Sequence, residues 1–200
     1  MKHFFNSIAS IVLFSASALA LNAHATVVSN TVESPSAFFI PLDAQKAVPP
    51  YQRFKNEDWS WSHTAISDSF TSAYFSVSAF DVDFAEGERD NIYAYDASGG
   101  SGVWVLLGAL NGSDESYAYT TFSLGSMFFD DIQSGLQMKM DIDATNLGWG
   151  GVSLAKSVVS LDSLVLPPPE PGATAIPEPG TLTLLALGLI GMAFVKGRKA

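Results

Sequence analysis

The chain contains no cysteine and has half as many basic residues as acidic ones. Its 200 residues include 10 Lys and Arg against 20 Asp and Glu, which gives a formal net charge of −10. The lack of cysteine excludes disulfides, thiolate metal sites and a cysteine nucleophile. Sequence-independent binding to nucleic acid needs clustered Lys and Arg, so the shortage of bases argues against a nucleic-acid partner.

Motifs that would indicate an enzyme are also lacking. The sequence has neither of the glycine-rich phosphate-binding patterns and no G-x-S-x-G nucleophile motif. His63 is the one histidine beyond the first 25 residues. A Ser-His-Asp site could be assembled around it on paper only, as in most serine-rich chains. We therefore expect no catalytic residues.

The N-terminus has the pattern of a secretory signal peptide. Lys2 precedes an apolar run at residues 8–21, and Ala23 and Ala25 supply the small residues of a cleavage site. The pattern predicts that residues 1–25 are removed and that the exported chain begins at Thr26. The alternative is an uncleaved anchor helix.

Three features follow one another at the C-terminus. The first is a Pro-Glu-Pro motif, formed by Pro177, Glu178 and Pro179. The second is an uncharged run at residues 181–195, and the third is a basic cluster of Lys196, Arg198 and Lys199. Fifteen helical residues span about 22 Å, less than the ~30 Å hydrocarbon core, but flanking cations can reach the membrane surface. This order predicts one transmembrane helix with its basic end in the cytoplasm.

The tail resembles the PEP-CTERM sorting signal of exosortase substrates. The resemblance rests on residues 176–181, the apolar run and the basic end. It implies a precursor anchored in the inner membrane, recognition of the sorting signal at residues 177–200 by an exosortase-like membrane enzyme, removal of the tail, and delivery to the cell surface or extracellular matrix. It implies nothing about the delivered domain. The alternative is a permanent membrane anchor.

The segment between the two ends has the composition of an all-β domain. Residues 167–176 form a proline-rich linker, which leaves residues 26–166 as the globular part. Short runs of aromatic and β-branched residues are separated by Gly, Asn, Asp and Ser, which predicts a two-layer, jelly-roll-like β-sandwich. The strands are predicted near residues 73–84, 91–95, 103–110, 117–124, 136–143 and 151–166, the last as two strands.

Three local patterns refine this prediction. The apolar alternation changes phase near Ala79 and Phe80, which predicts a bulge. Asn111 and Gly112 predict a hairpin turn between two strands. One helical segment is expected over residues 126–134.

Carboxylates are concentrated in two places and suggest a cation site. Five acids occur within residues 81–90, and two more end the predicted strand at residues 136–143. If those strands were neighbours, their carboxylates would face one another, and a set of oxygen ligands favours Ca²⁺. The candidate ligands are Asp81, Asp83, Glu88, Asp90, Asp141 and Asp143. The alternative is a solvated acidic face that keeps the protein soluble.

These features favour an exported structural or adhesive protein of the cell surface or matrix. The alternative is a polysaccharide-binding module in which Trp59 and Trp61, two residues apart, stack against sugar rings. Core packing is the competing role for both tryptophans. A secreted hydrolase that uses paired carboxylates is the third hypothesis.

Overall fold

The protein is described by a computed structural model that covers residues 28–172, apart from residues 99, 113 and 146–149. The predicted signal peptide, the Pro-Glu-Pro motif and the predicted transmembrane run lie outside the described residues. Within them, nine strands form two antiparallel sheets, as expected for a β-sandwich. One helix, α1 (Phe129–Ser134), follows a 3-10 turn in the region where a helix was predicted.

The larger sheet has five strands in the order β1-β9-β4-β7, and β2 extends the β1 edge along β9. Its strands are β1 (Ser29–Glu33), β2 (Gln52–Arg53), β4 (Ala73–Phe80), β7 (Tyr117–Leu124) and β9 (Val152–Leu161). The smaller sheet has the order β3-β8-β5-β6. Its strands are β3 (Trp59–Ser62), β5 (Asn91–Asp96), β6 (Val103–Ala109) and β8 (Gln137–Asp141).

The strands β4 to β9 lie where strands were predicted, whereas β1, β2 and β3 were not predicted and the connections differ. A register shift between Ser78 and Ala79 confirms the predicted bulge. Asn111-Gly112 does not form a hairpin turn, because β6 and β7 belong to different sheets. Residues 151–166 contain one strand instead of two. β4 ends at Phe80 instead of residue 84, since Asp81 adopts a left-handed conformation with φ of 65°.

The core between the sheets is aromatic, and it includes a buried polar network. Trp61 packs against Phe39 and Phe75, with ring centroids 5.7 and 6.4 Å away. Its indole N–H donates to Ser157 Oγ across the two layers at 2.9 Å. His63 Nε2 contacts the same Oγ at 2.8 Å, and His63 Nδ1 lies 2.8 Å from Asn30 Oδ1. The Asn30 amide nitrogen donates to Thr64 Oγ1, which leaves Asn30 Oδ1 facing His63 Nδ1. Because Oδ1 can only accept a hydrogen bond, Nδ1 is the protonated nitrogen of the His63 ring.

The start of the proline-rich linker lies on the outer face of the five-stranded sheet. Lys156 points to this face and is buried there, and its ammonium donates to the Pro168 carbonyl at 2.9 Å. Ser78 Oγ donates to the Pro169 carbonyl at 2.7 Å. A buried ammonium needs hydrogen-bond acceptors, and the Pro168 carbonyl supplies one. Pro168 and Pro169 are therefore bound to the folded domain.

His63 should make a destabilising contribution when the pH falls. Burial lowers the pKa of His63 to about 4, while the unfolded chain titrates near 6.5. The unfolded state therefore binds a proton between these values and the folded state does not, so this contribution to stability is lost as the pH falls, at a cost of about 2 kcal/mol between pH 7 and pH 5. Folding raises the pKa of Glu88 and Asp90, which act in the opposite sense, so the His63 contribution is measured by urea unfolding as a difference between wild type and a variant.

The His63→Gln variant isolates this effect because it removes the titrating group. Between pH 7 and pH 5, the change in the free energy of unfolding of the variant should be about 2 kcal/mol more favourable than that of wild type. Ser62→Ala, at the exposed neighbour on β3, should keep the wild-type dependence. Equal pH dependence in His63→Gln and wild type would contradict the assignment.

Candidate functional site

The acidic residues lie at one end of the sandwich, where the connection from β4 to β5 meets the turn that follows β8. The premise that β4 and β8 are neighbouring strands was wrong, because they lie in different sheets. Asp81 and Asp83 also lie beyond the end of β4, so they do not share a strand face. The loops bring the carboxylates into two groups instead.

The exposed group consists of Asp81, Asp83 and Asp114. One carboxylate oxygen from each lies within 4.8 Å of the other two. Asp114 is exposed, and Asp81 accepts a hydrogen bond from the Glu115 N–H at 3.1 Å. Burial raises the pKa of Asp81, with a smaller contribution from Asp114. Asp114 was not among the predicted ligands, because it lies more than thirty residues away in the sequence.

The buried group consists of Glu88, Asp90 and Asp143. Glu88 is 1% exposed and Asp90 is 0% exposed. One oxygen of each carboxylate is held by the main chain: Asp83 N–H donates to Glu88 Oε2 at 2.9 Å, and Asp143 N–H donates to Asp90 Oδ1 at 3.0 Å. The other oxygens, Glu88 Oε1 and Asp90 Oδ2, are buried without a hydrogen-bond partner among the described residues.

Burial and mutual repulsion perturb both carboxyl groups. Burial, followed by repulsion from Asp90, raises the pKa of Glu88 to about 7. Burial, followed by repulsion from Asp143 and Asp83, raises the pKa of Asp90 to about 6. A main-chain hydrogen bond partly offsets each increase. These carboxylates are held close together at a cost in free energy.

The other predicted ligand, Asp141, lies apart from both groups. It is half-buried at the end of β8, where it pairs in register with Asn91. Burial and repulsion from Asp58 raise its pKa, and Lys139 opposes the shift. The structure thus brings together three of the six predicted ligands in the buried group and two in the exposed group.

Trp59 and Trp61 do not form an outward platform, which corrects the prediction of a sugar-stacking pair at these positions. They are 1% and 5% exposed, and the intervening Ser60 and Ser62 face solvent. The Trp59 indole N–H donates to the Ala37 carbonyl at 2.8 Å. Replacing either ring with alanine would create a core cavity that costs about 3–5 kcal/mol.

A different aromatic surface lies on the outer face of the four-stranded sheet, where Trp104 is exposed and two tyrosines are half-buried. Tyr93 and Tyr95 alternate with buried Ile92 and Ala94 along β5. Tyr95 pairs in register with Trp104 of the edge strand β6, with ring centroids 5.2 Å apart. Trp104 is 40% exposed. We call Tyr93, Tyr95 and Trp104 the aromatic row. The alternation along β5 could have revealed the tyrosines from the sequence.

Polar side chains surround the aromatic row. Lys139 pairs in register with Tyr93, and its ammonium lies 5.4 Å from the ring centroid. Ser60, in turn, pairs with Lys139, and Asn91 and Asp141 continue the same face. The Tyr95 ring also covers Gly102, where an added methyl group would overlap the ring. This face combines flat apolar rings with hydrogen-bonding groups.

Comparison with known proteins identifies the C-terminal tail. Residues 175–199 match the PEP-CTERM protein-sorting motif. No curated protein matches the sequence. A solved structure described as "xylan-binding module CBM15" is similar over 68% of this chain and 92% of that chain, at 12% identity and a TM-score of 0.34. At this TM-score the likeness carries no conclusion about the domain.

The chain thus carries a PEP-CTERM motif, which marks an exported protein that is anchored as a precursor and sorted to the cell surface by an exosortase. The residues matched include the predicted motif and the predicted basic cluster. Within the part of the chain that the structure describes, no helix has the length and apolar character needed to cross a membrane. The span predicted at residues 181–195 lies outside that part.

Two Pro-Glu-Pro-Gly sequences in the chain allow a matched test of sorting. One contains Glu170 and lies before the matched region, and the other contains Glu178 and lies within it. In a host with an exosortase, Glu178→Ala should block tail removal, and Glu170→Ala should leave it unchanged. The intact mass of each variant, recovered from the membrane and from the medium, shows whether its tail has been removed. Normal processing of Glu178→Ala would contradict recognition through this motif.

Proposed function

We propose that the exported domain is a non-catalytic adhesive module that holds a neutral extracellular polysaccharide on the outer face of the four-stranded sheet. The observation that supports it is the aromatic row, which is partly exposed beside Leu106 and several hydrogen-bonding side chains. Sugar rings present C–H groups on their faces and hydroxyls at their edges. Tyr and Trp rings offer an apolar surface on which the C–H groups can stack. Ser, Asn, Lys and Asp side chains can form hydrogen bonds with the hydroxyls.

The geometry of the row suits an extended chain better than a small molecule. Tyr93 and Tyr95 are two residues apart on one strand, roughly 7 Å, and Trp104 continues the surface onto β6. The face is an open sheet surface, whereas small ligands are generally enclosed by concave pockets. An open face can hold successive sugar units of a polymer side by side.

Charge favours a neutral polymer over an acidic one. Residues 26–166 contain eighteen Asp and Glu against six Lys and Arg. On the proposed face, Lys139 and Asp141 carry opposite charges. The surrounding negative potential would repel a polyanionic polysaccharide.

A hydrolytic function has less support. The Ser157-His63-Asn30 arrangement has hydrogen-bond distances typical of a catalytic triad, but all of Ser157 is buried and its hydroxyl also binds Trp61. A cleft of about 290 Å³ lies between β1 and β3, and among its described lining residues Glu33 is the one carboxylate. Glycoside hydrolysis generally uses two carboxylates that flank the bond. We therefore propose binding without catalysis.

Removal of two rings of the aromatic row should weaken retention by polysaccharide without unfolding the domain. The probe is the neutral exopolysaccharide of the producing host, immobilised in a native gel, with dextran as the blank. Tyr93→Ala combined with Trp104→Ala should weaken retention at least about tenfold, because stacking on each ring contributes on the order of 1 kcal/mol. Thermal unfolding should change little, since these side chains are partly exposed.

The matched control is Phe54→Ala, which removes an exposed ring that is 46% accessible and lies outside the proposed face. It should retain wild-type binding. Equal retention of the double variant and wild type would contradict a site on this face. If wild type is not retained at all, the proposal fails and a purely architectural role remains.

A further inference from the structure

The buried carboxylates pose a problem that the proposed function does not address. Glu88 and Asp90 are fully buried, and each keeps one oxygen without a hydrogen-bond partner among the described residues. An uncompensated buried carboxylate costs several kcal/mol, and two close together cost more because they repel. A folded domain needs something to offset this cost.

The nearby base does not provide it. Arg89 lies between the two acids in sequence, but its guanidinium donates to the main-chain carbonyls of Phe84 and Glu88. It also stacks over the Phe84 ring at 4.1 Å. Within the described part of the chain, no Lys or Arg forms an ion pair with Glu88 or Asp90. The charged groups that perturb the two carboxylates are other carboxylates.

The surrounding backbone is arranged to hold the carboxylates in place. The loop at residues 83–88 closes on itself, with Glu88 N–H donating to the Asp83 carbonyl at 3.1 Å. The turn after β8 is fastened to it, with Ala144 N–H donating to the Arg89 carbonyl at 2.8 Å. Gly150 completes the enclosure: a methyl group there would lie 2.9 Å from Glu88 Oε1. The Glu88 carboxylate therefore packs directly against the main chain at residue 150, where a side chain would collide with it.

We propose that the buried group is a structural calcium site in which Glu88 Oε1 and Asp90 Oδ2 are ligands, with Asp143 beside them. Calcium binds six to eight oxygens and accepts carboxylates and main-chain carbonyls in varied geometry, which suits a site formed by two loops. The ligands lack nitrogen and sulfur, which disfavours zinc and copper. A bound divalent ion would offset the buried charge and fasten the loop at residues 83–90 to the turn at residues 142–145.

The exposed group of Asp81, Asp83 and Asp114 is the competing position. Its ligand oxygens lie within 4.8 Å of one another, but Asp114 is exposed and Asp81 and Asp83 are half-buried. Among the described residues, this group has no buried oxygen without a hydrogen-bond partner. The buried group has two such oxygens, Glu88 Oε1 and Asp90 Oδ2, and we therefore place the ion there.

The test uses the full chain, stripped with EDTA and then titrated with CaCl₂ alone. Saturating Ca²⁺ should raise the Tm by about 5–10 °C, because an ion that binds the folded state at 100 times its Kd stabilises it substantially. KCl at equal ionic strength should not reproduce the increase, which separates binding from screening. Absence of a calcium response in wild type would overturn the proposal.

Substitutions in the buried group and in the exposed group test where the ion binds. Glu88→Gln combined with Asp90→Asn should abolish the calcium-dependent increase in Tm, and Asp114→Asn should preserve it. In EDTA, the double variant should melt at or above the wild-type Tm, because it removes the repulsion without a large change in volume. The proposal is wrong if the double variant melts below wild type in EDTA, or if Asp114→Asn alone abolishes the response.

Discussion

The central strand β9 requires partners on both of its faces, and much of the fold follows from this requirement. All ten residues of β9 are buried, although Ser153, Lys156, Ser157 and Ser160 are polar. Buried polar groups must be hydrogen-bonded, so each of these side chains requires a nearby acceptor or donor. Ser157 meets Trp61 and His63 between the sheets, which fixes the register of the two layers. Lys156 meets the Pro168 carbonyl, which fastens the linker to the outer face.

The acidic end of the sandwich is a consequence of how the strands are connected. β4 and β5 belong to different sheets, so the chain must cross from one layer to the other through residues 81–90. The turn after β8 meets this crossing, and Asp143 and Ala144 fasten the two loops through main-chain hydrogen bonds. Without cysteine, the chain has no covalent means of holding such loops. Hydrogen bonds to carboxylate oxygens, and in our proposal a divalent ion, take that role.

Local periodicity predicted individual strands well, and long-range pairing limited the prediction of the site. The strand predicted near residues 136–143 corresponds to β8, and the phase change identified the bulge in β4. Neither pattern contains information on which sheet a strand joins, so the sequence could not show whether the strands of Asp81 and Asp141 are neighbours. The motif Trp59-Ser60-Trp61-Ser62 shows a second limit. Its alternation indicates that either the two tryptophans or the two serines face inward. The pattern alone does not distinguish tryptophans in the core from tryptophans on the outer face. The tail was recognisable because its three features lie in one short, contiguous segment.

The two layers separate the start of the linker from the proposed binding face. Pro168 and Pro169 lie on the outer side of the five-stranded sheet, where Lys156 and Ser78 donate hydrogen bonds to their carbonyls. The aromatic row lies on the outer side of the other sheet, and the two sheets of a sandwich are about 10 Å apart. Pro168 and Pro169 therefore do not cover Tyr93 or Trp104. The hydrogen bonds that bind the start of the linker to β4 and β9 keep it on the face opposite the one where we propose that a polymer binds.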